Sequence, residues 1–220
     1  PVLGYGLAHG TELLPHHPIE AARRGEVHQV PLIIGSNSHE ASMFARVKPP
    51  MLPTTEPTVN GYFNRVGPEY QDAIIASYPG YPSRQALVAV GSDAMFAAPM
   101  WAFADAYSAF VDTYMYRFDH TAWGLKLLGL GATHGSEIVH VQHSYGSFVG
   151  MLLSPLGARM MPSVGRRMQR AWLDFATGAG PQDWPTYGAD GRRTRIIRSR
   201  SDVTIEDPDS VRRIAWAQVH

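Results

Sequence analysis

The chain has 220 residues, of which 45% are hydrophobic, enough to bury a sizeable core in one domain or two small ones. Nineteen basic and nineteen acidic residues cancel, so no strong field favours nucleic acid or an anionic membrane surface as a partner. The absence of cysteine excludes disulfides, zinc–thiolate sites and a cysteine nucleophile; it leaves the compartment undecided, with the cytoplasm slightly favoured. No apolar run approaches the ~18 residues typical of a membrane span, so none is predicted.

The first third of the chain predicts one buried strand among short helices. Residues 1–26 are loop-like apart from a helical run over 19–24. The run Leu32-Ile33-Ile34 has no polar alternation, which predicts a strand buried on both faces, as in a parallel sheet. That strand ends at Gly35, before a polar turn. Further short helices are predicted over 41–47, 58–66 and 68–77.

The middle third predicts a long helix and a second strand. Ser83 caps an apolar run that extends to about residue 109, and Pro99 should kink this helix or divide it. Residues 111–118 are rich in β-forming side chains and predict the second core strand. A glycine-bracketed loop, 131–137, follows it.

The last third predicts an amphipathic helix from Val164 to Gly178 and a loop, 184–187, anchored by two aromatic residues. Residues 194–198 and 203–206 read as short strands of a surface ribbon, and a final helix is expected from Asp207-Pro208 to about residue 219. Sparse strands between long helices indicate an α/β class. Two core strands are too few for a parallel sheet, so we expect part of the sheet to be missing from this chain.

One polar loop follows each core strand. Glu40 comes just after the first strand, and His134 stands on the glycine-bracketed loop after the second. A lone loop histidine is most often a surface residue, but sites in open parallel sheets assemble where the strands end. We therefore expect Glu40 to accept a hydrogen bond from one ring nitrogen of His134, which leaves the other nitrogen free to activate a nucleophile. The acid also precedes the histidine, as in α/β-hydrolases.

The sequence around these two residues resembles type B carboxylesterases, the family that includes cholinesterases. Residues 31–44 are similar to the family's "PLLIGTNxDEGxxF" segment, which places Glu40 on the catalytic glutamate, although Ala41 stands where the family often has glycine. Residues 131–138 resemble "GAxHGxE", which places His134 on the catalytic histidine. Weaker matches follow in family order: Asp93 with Pro99, and Trp172, Phe175 and Gly178 with Trp184-Pro185.

The resemblance implies that residues 1–220 are the C-terminal part of a single α/β-hydrolase domain, comprising its last core strands and their helices. It implies hydrolysis of a small carboxylic ester through an acyl-serine, with no cofactor. However, no serine in the chain has glycine at both −2 and +2, and no Gly-Gly oxyanion loop is present. We therefore expect an N-terminal part of the same protein to carry the Gly-x-Ser-x-Gly nucleophile, and this chain alone to be almost inactive.

Rival interpretations of the polar and aromatic residues are weaker. The spacing of His134, Glu137, His140 and His143 fits no standard metal-ligand set, so no metal is predicted, and Glu137 is interpreted as a buried hydrogen-bond partner near the site. The arginines between 192 and 200 are read as a solvated strand face. Five large apolar residues are assigned to core packing in preference to a substrate pocket: Met95, Phe96, Met100, Trp101 and Phe103.

Two non-enzymatic alternatives stay open. The first is a carboxylesterase-like binding protein that has lost the nucleophile, although such a protein has no need of both Glu40 and His134. The second is a stand-alone helical interaction domain.

Overall fold

The computed structural model describes residues 8–147, 150 and 163–219, and four strands of this part form one mixed sheet in the order β1-β2-β3-β4. The strands are β1 (Leu32–Asn37), β2 (Thr113–Phe118), β3 (Arg193–Ile197) and β4 (Val203–Glu206). Neighbours β1 and β2 are parallel, as are β2 and β3, whereas β4 runs antiparallel to β3. The two predicted core strands therefore exist and lie side by side, with their carboxyl ends at the same edge.

The two short strands predicted over 194–198 and 203–206 exist and pair antiparallel, but the prediction that they form a surface ribbon is wrong. Strand β3 is a parallel core strand beside β2, and its residues Thr194, Ile196 and Ile197 are buried. The prediction that β1 is buried on both faces also needs correction, because its apolar residues are only half-buried. The physical reason is that β1 lies at one edge of the sheet formed by the described residues.

The helices surround this sheet. They are α1 (Pro18–Arg23), α2 (Glu56–Val66), α3 (Gln71–Ile75), α4 (Arg84–Ser92), α5 (Ala98–Tyr107), α6 (Trp123–Leu127), α7 (Ile138–Val141), α8 (Ser163–Ala176) and α9 (Ser210–Trp216). The helix predicted over 41–47 is wrong, because two 3₁₀ turns, Glu40–Ser42 and Phe44–Arg46, occupy that stretch. Helix α6 was not predicted. The predicted loop 1–26 is described only from residue 8.

The long helix is confirmed, together with its interruption. Ser83 caps α4 by accepting a hydrogen bond from the backbone N–H of Ala86, and a π-helical segment, Asp93–Ala97, separates α4 from α5. Pro99 lies at the second position of α5, where its missing N–H is tolerated. The segment therefore changes the helical phase just before the proline.

This helical run corrects the expectation that no stretch is long and apolar enough for a membrane span. It has 24 residues, from Arg84 to Tyr107, and an 18-residue window within it is apolar enough to cross a membrane by length and composition. However, 61% of that window is buried inside the protein, where α5 packs on β1 and β2. A helix that is buried in a protein core passes the same test of length and composition, so this helix is weak evidence for a membrane span.

The C-terminal elements close the other side of the sheet. Val164 and Met168 of α8 pack against Phe118 and Ile197. The aromatic loop 184–187 is confirmed as an anchor, since Trp184 is buried and donates its indole N–H to the carbonyl of Met115 at 3.1 Å. The last helix begins at Ser210, later than predicted.

Candidate active site

The loop after β1 holds Glu40 against two other parts of the chain. The backbone N–H of Ser38 donates to the carbonyl of Phe118 at the end of β2, and that of His39 donates to Ala132 on the histidine loop, each at 3.0 Å. The backbone N–H of Ala41 donates to the hydroxyl of Ser92 at 3.0 Å. Glu40 is consequently fixed at the carboxyl edge of the sheet, with its side chain only 7% exposed.

The loop that carries His134 depends on its two glycines. Gly131 and Gly135 have φ of 67° and 72°, in the left-handed region that favours glycine. A Cβ atom at Gly131 would also lie 2.7 Å from Cγ of His39. This close approach confirms that the bracketing glycines allow a turn that other residues would strain.

The structure brings the two predicted residues together. His134 Nδ1 lies 2.7 Å from Oε2 of Glu40, and the other carboxylate oxygen accepts the backbone N–H of Asn37, also at 2.7 Å. The imidazole is 47% exposed, and no residue of the described chain makes a hydrogen bond to its Nε2. With Nδ1 holding the proton toward the carboxylate, Nε2 is an acceptor that faces outward.

Burial raises the pKa of the Glu40 carboxyl. The hydrogen bonds from Asn37 and His134 oppose this rise, and the nearby charge of Glu137 adds to it. A carboxylate in such a place depends on its two donors, so the imidazole is part of what keeps it ionised.

Asn37 connects the acid loop to the histidine loop. Its side-chain amide donates to the carbonyl of Thr133 at 3.0 Å and to Oε2 of Glu137 at 2.5 Å. The prediction of Glu137 as a hydrogen-bond partner near the site is thus confirmed, although the residue is half-buried and not buried as predicted. Sequence reasoning missed Asn37, although a polar residue that ends a core strand three positions before the candidate acid was a usable signal.

Two aromatic rings flank His134. The ring centroids of Phe44 and Phe96 lie 5.5 and 4.9 Å from that of the imidazole, and 6.3 Å from each other. The assignment to core packing is therefore wrong for Phe96, which the π-helical segment turns toward the site. Trp101 is buried in the main core, with Met95 and Met100 packed against it.

Three of the residues in the 134–143 histidine and glutamate cluster have separate hydrogen-bond partners. His134 binds Glu40, Glu137 binds Asn37, and His140 Nδ1 lies 2.8 Å from the hydroxyl of Tyr145. Among residues 8–147, 150 and 163–219, no three His, Asp or Glu side chains form a group that could hold a metal ion.

Comparisons with known proteins agree with this architecture. The model of the carboxylesterase family matches residues 2–210. Para-nitrobenzyl esterase of Bacillus subtilis (strain 168) is 27% identical over 207 residues, which cover 91% of this chain and 40% of that protein.

Solved structures of esterases also superpose on this chain. A carboxylesterase of Geobacillus stearothermophilus superposes with a TM-score of 0.75 at 26% identity, over 93% of this chain and 44% of that one. A thermophilic PNB esterase gives a TM-score of 0.73 at 24% identity, over 92% and 41%. The predicted α/β-hydrolase fold is confirmed, and the chain spans about two fifths of the length of these relatives.

Proposed function

Because this chain belongs to the carboxylesterase family, we propose that Glu40 and His134 are the acid and the histidine of the Ser-Glu-His triad of a carboxylic ester hydrolase. The observation that carries this proposal is the 2.7 Å contact between a buried carboxylate and an imidazole whose other nitrogen is open. The pair stands where parallel strands end, which is the usual place for a site in such sheets.

The chemistry follows from the two ring nitrogens. His134 takes the proton of a serine hydroxyl at Nε2 as the serine attacks the ester carbonyl, and Glu40 stabilises the imidazolium. The same proton then passes to the departing alcohol, which leaves an acyl-serine. Water attacks that intermediate with His134 again as base, and the carboxylic acid is released. No cofactor takes part in these steps.

The serine comes from outside this chain. We propose that residues 1–220 are the C-terminal part of a single α/β-hydrolase domain, and that the N-terminal part carries the Gly-x-Ser-x-Gly nucleophile and the oxyanion donors. Three observations support this arrangement: the chain spans two fifths of its relatives, it lacks a serine between glycines, and β1 is an edge strand in the described sheet. The half-exposed imidazole of His134 then faces the missing serine.

The substrate class is a small-molecule carboxylic ester. Phe44 and Phe96 make an apolar wall beside the imidazole, on which an acyl or alcohol group of the ester packs. The alternative of a non-catalytic binding protein has no observation of its own in its favour.

The test is an ester hydrolysis assay of the complete protein with a chromogenic p-nitrophenyl ester. We expect the complete protein to turn over, and His134→Ala to lower kcat by several orders of magnitude while the protein stays folded. The isolated 220-residue chain should be almost inactive. Near-normal turnover of the His134→Ala protein, or full turnover by the isolated chain, contradicts the proposal.

A further inference from the structure

A second cleft adjoins the Glu40 loop. It has a volume of about 470 Å³, and its lining includes His39 and Ser42, which flank Glu40 in sequence. Ser92, which accepts the backbone N–H of Ala41, is also in the lining. We call this the Arg46–Arg84 cleft, after the two arginines that line it.

The charged side chains that line this cleft are basic. They are Arg46 and Arg84, and none of the described residues in the lining is an acid. The guanidinium of Arg46 donates to the carbonyl of Leu128, which occupies one donor and leaves the positive charge uncompensated. The side chain of Arg84 is exposed and makes no hydrogen bond or ion pair within the part of the chain that the structure describes.

Several other arginines of this protein are paired with acids. Arg117, Arg167 and Arg212 each form ion pairs with aspartates. Arg46 and Arg84 instead line one cleft that has no carboxylate among its described lining residues, and two such positive charges attract an anion. Guanidinium groups also match the fork of a carboxylate with two parallel hydrogen bonds.

The remaining lining is mixed. Val88, Ala89 and Leu130 are apolar, and the polar residues are Ser38, His39, Ser42, Gln85 and Ser92. The volume of the cleft falls within the ordinary range of small-molecule sites and exceeds what a bare inorganic anion needs. A ligand that fits this lining carries one anionic group and a short apolar tail.

We propose that the Arg46–Arg84 cleft binds a small organic carboxylate, with its head on the two guanidinium groups and its tail against Val88 and Ala89. The binding does not depend on ester hydrolysis and is measured without it. If the proposed function also holds, the acid released by hydrolysis belongs to the same chemical class.

The test measures binding of hexanoate to the complete protein by calorimetry at constant ionic strength. We expect a dissociation constant on the order of 1 mM, and Arg84→Gln should weaken binding at least about tenfold because a charge-assisted hydrogen bond is lost. Arg46→Gln should act in the same direction, and Arg84→Lys should retain part of the affinity.

The matched control is Arg65→Gln, which removes another exposed helical arginine outside the cleft and should leave the affinity within about twofold. Hexanamide, which lacks the charge, and inorganic phosphate, which lacks the tail, should both bind at least about tenfold more weakly than hexanoate. The proposal is overturned if Arg84→Gln and Arg65→Gln bind hexanoate alike, if either comparison ligand matches hexanoate, or if wild-type protein shows no binding. Because the side chain of Arg84 makes no hydrogen bond or ion pair in the described chain, its variant should fold normally, and circular dichroism checks this.

Discussion

Two buried carboxylates of this protein, Glu40 and Asp93, differ in what faces them. Their side chains are 7% and 5% exposed, and burial raises the pKa of both, for Asp93 to about 6. Asp93 accepts hydrogen bonds from the hydroxyl of Tyr78 at 2.6 Å and from Arg212 at 2.8 Å. Glu40 instead faces His134, whose imidazole is half-exposed.

The difference lies in the partner and not in the burial. Each partner of Asp93 has a fixed role: the hydroxyl of Tyr78 also accepts the indole N–H of Trp216 at 2.7 Å. The cation that faces Asp93 is Arg212, whose guanidinium keeps its charge at all ordinary pH values. The Glu40 pair has an imidazole partner whose second ring nitrogen, Nε2, makes no hydrogen bond in the described chain and is open to accept a proton. A buried carboxylate thus indicates chemistry only when its partner can change charge. Variants of the two acids should separate these roles.

The largest expected effect is on turnover at Glu40. Glu40→Gln keeps the size of the side chain but removes the charge that orients His134 and stabilises its protonated form, so kcat of the complete protein should fall about 10⁴-fold. The unfolding midpoint should change little, because Gln can still accept the N–H of Asn37. Steady-state kinetics and thermal unfolding check this, and a loss in kcat below about tenfold contradicts it.

The next effect is on stability at Asp93. Asp93→Ala leaves Arg212 without one of its two acidic partners and Tyr78 without its acceptor, so the free energy of unfolding should fall by about 3 kcal/mol. The folded fraction should keep kcat within a few-fold. Urea unfolding measures the change against Asp72→Ala, an exposed acid that should cost little. Equal stability of the two variants rules out the structural role.

A smaller effect is expected at Asn37, which shares a feature with each side of the comparison. It is buried like Asp93, and its backbone N–H donates to Glu40. Asn37→Ala keeps the backbone donor to Glu40 but frees the carbonyl of Thr133, so the histidine loop loses its tie to β1. Misplacement of His134 should lower kcat about 10²-fold with little change in KM. If kcat is unchanged, the side-chain amide of Asn37 contributes hydrogen bonds to the core but does not position His134.

The smallest effect is on pH dependence and involves His140, a buried base that has no acidic partner among the residues that the structure describes. Burial lowers the pKa of His140 to about 3, below its ordinary value of 6.5, and the neighbouring His120 adds to this. Between these two pKa values His140 is protonated in the unfolded chain but not in the folded chain. The free energy of unfolding therefore falls as pH falls from about 6.5 toward 3.

The matched variant is His140→Gln, which keeps a polar group beside Tyr145 but does not titrate. Between pH 6 and pH 4 the wild-type free energy of unfolding should fall faster than that of His140→Gln, by up to about 1.4 kcal/mol per pH unit. Urea unfolding at several pH values measures both slopes, and parallel slopes would exclude His140 as the source.

The sequence was sufficient for the Glu40–His134 pair because each residue follows a recognisable strand and stands in a distinctive local pattern. The sequence did not reveal that β3 is a core strand. Arg193 and Arg195 alternate with buried residues, a pattern typical of an exposed ribbon, but their charges are paired with Glu206 and Asp202. The position of β3 beside β2 depends on contacts between residues that are distant in sequence.

Two site residues escaped prediction for related reasons. The role of Asn37 rests on a contact with Thr133, 96 positions later, which no local pattern records. A regular α-helical period through residue 96 would place Phe96 on the apolar face that packs in the core. The π-helical segment breaks that period, and the Phe96 ring lies beside His134 instead. Local rules fail where the helix itself departs from its regular period.

The most direct test of the central claim is a double-mutant cycle on kcat with Glu40→Gln, His134→Ala and the two combined, in the complete protein. If the carboxylate acts only through the imidazole, the double variant should be no slower than His134→Ala, within a few-fold. If the two losses multiply, or if either single variant turns over near the wild-type rate, Glu40 and His134 do not work as one catalytic unit.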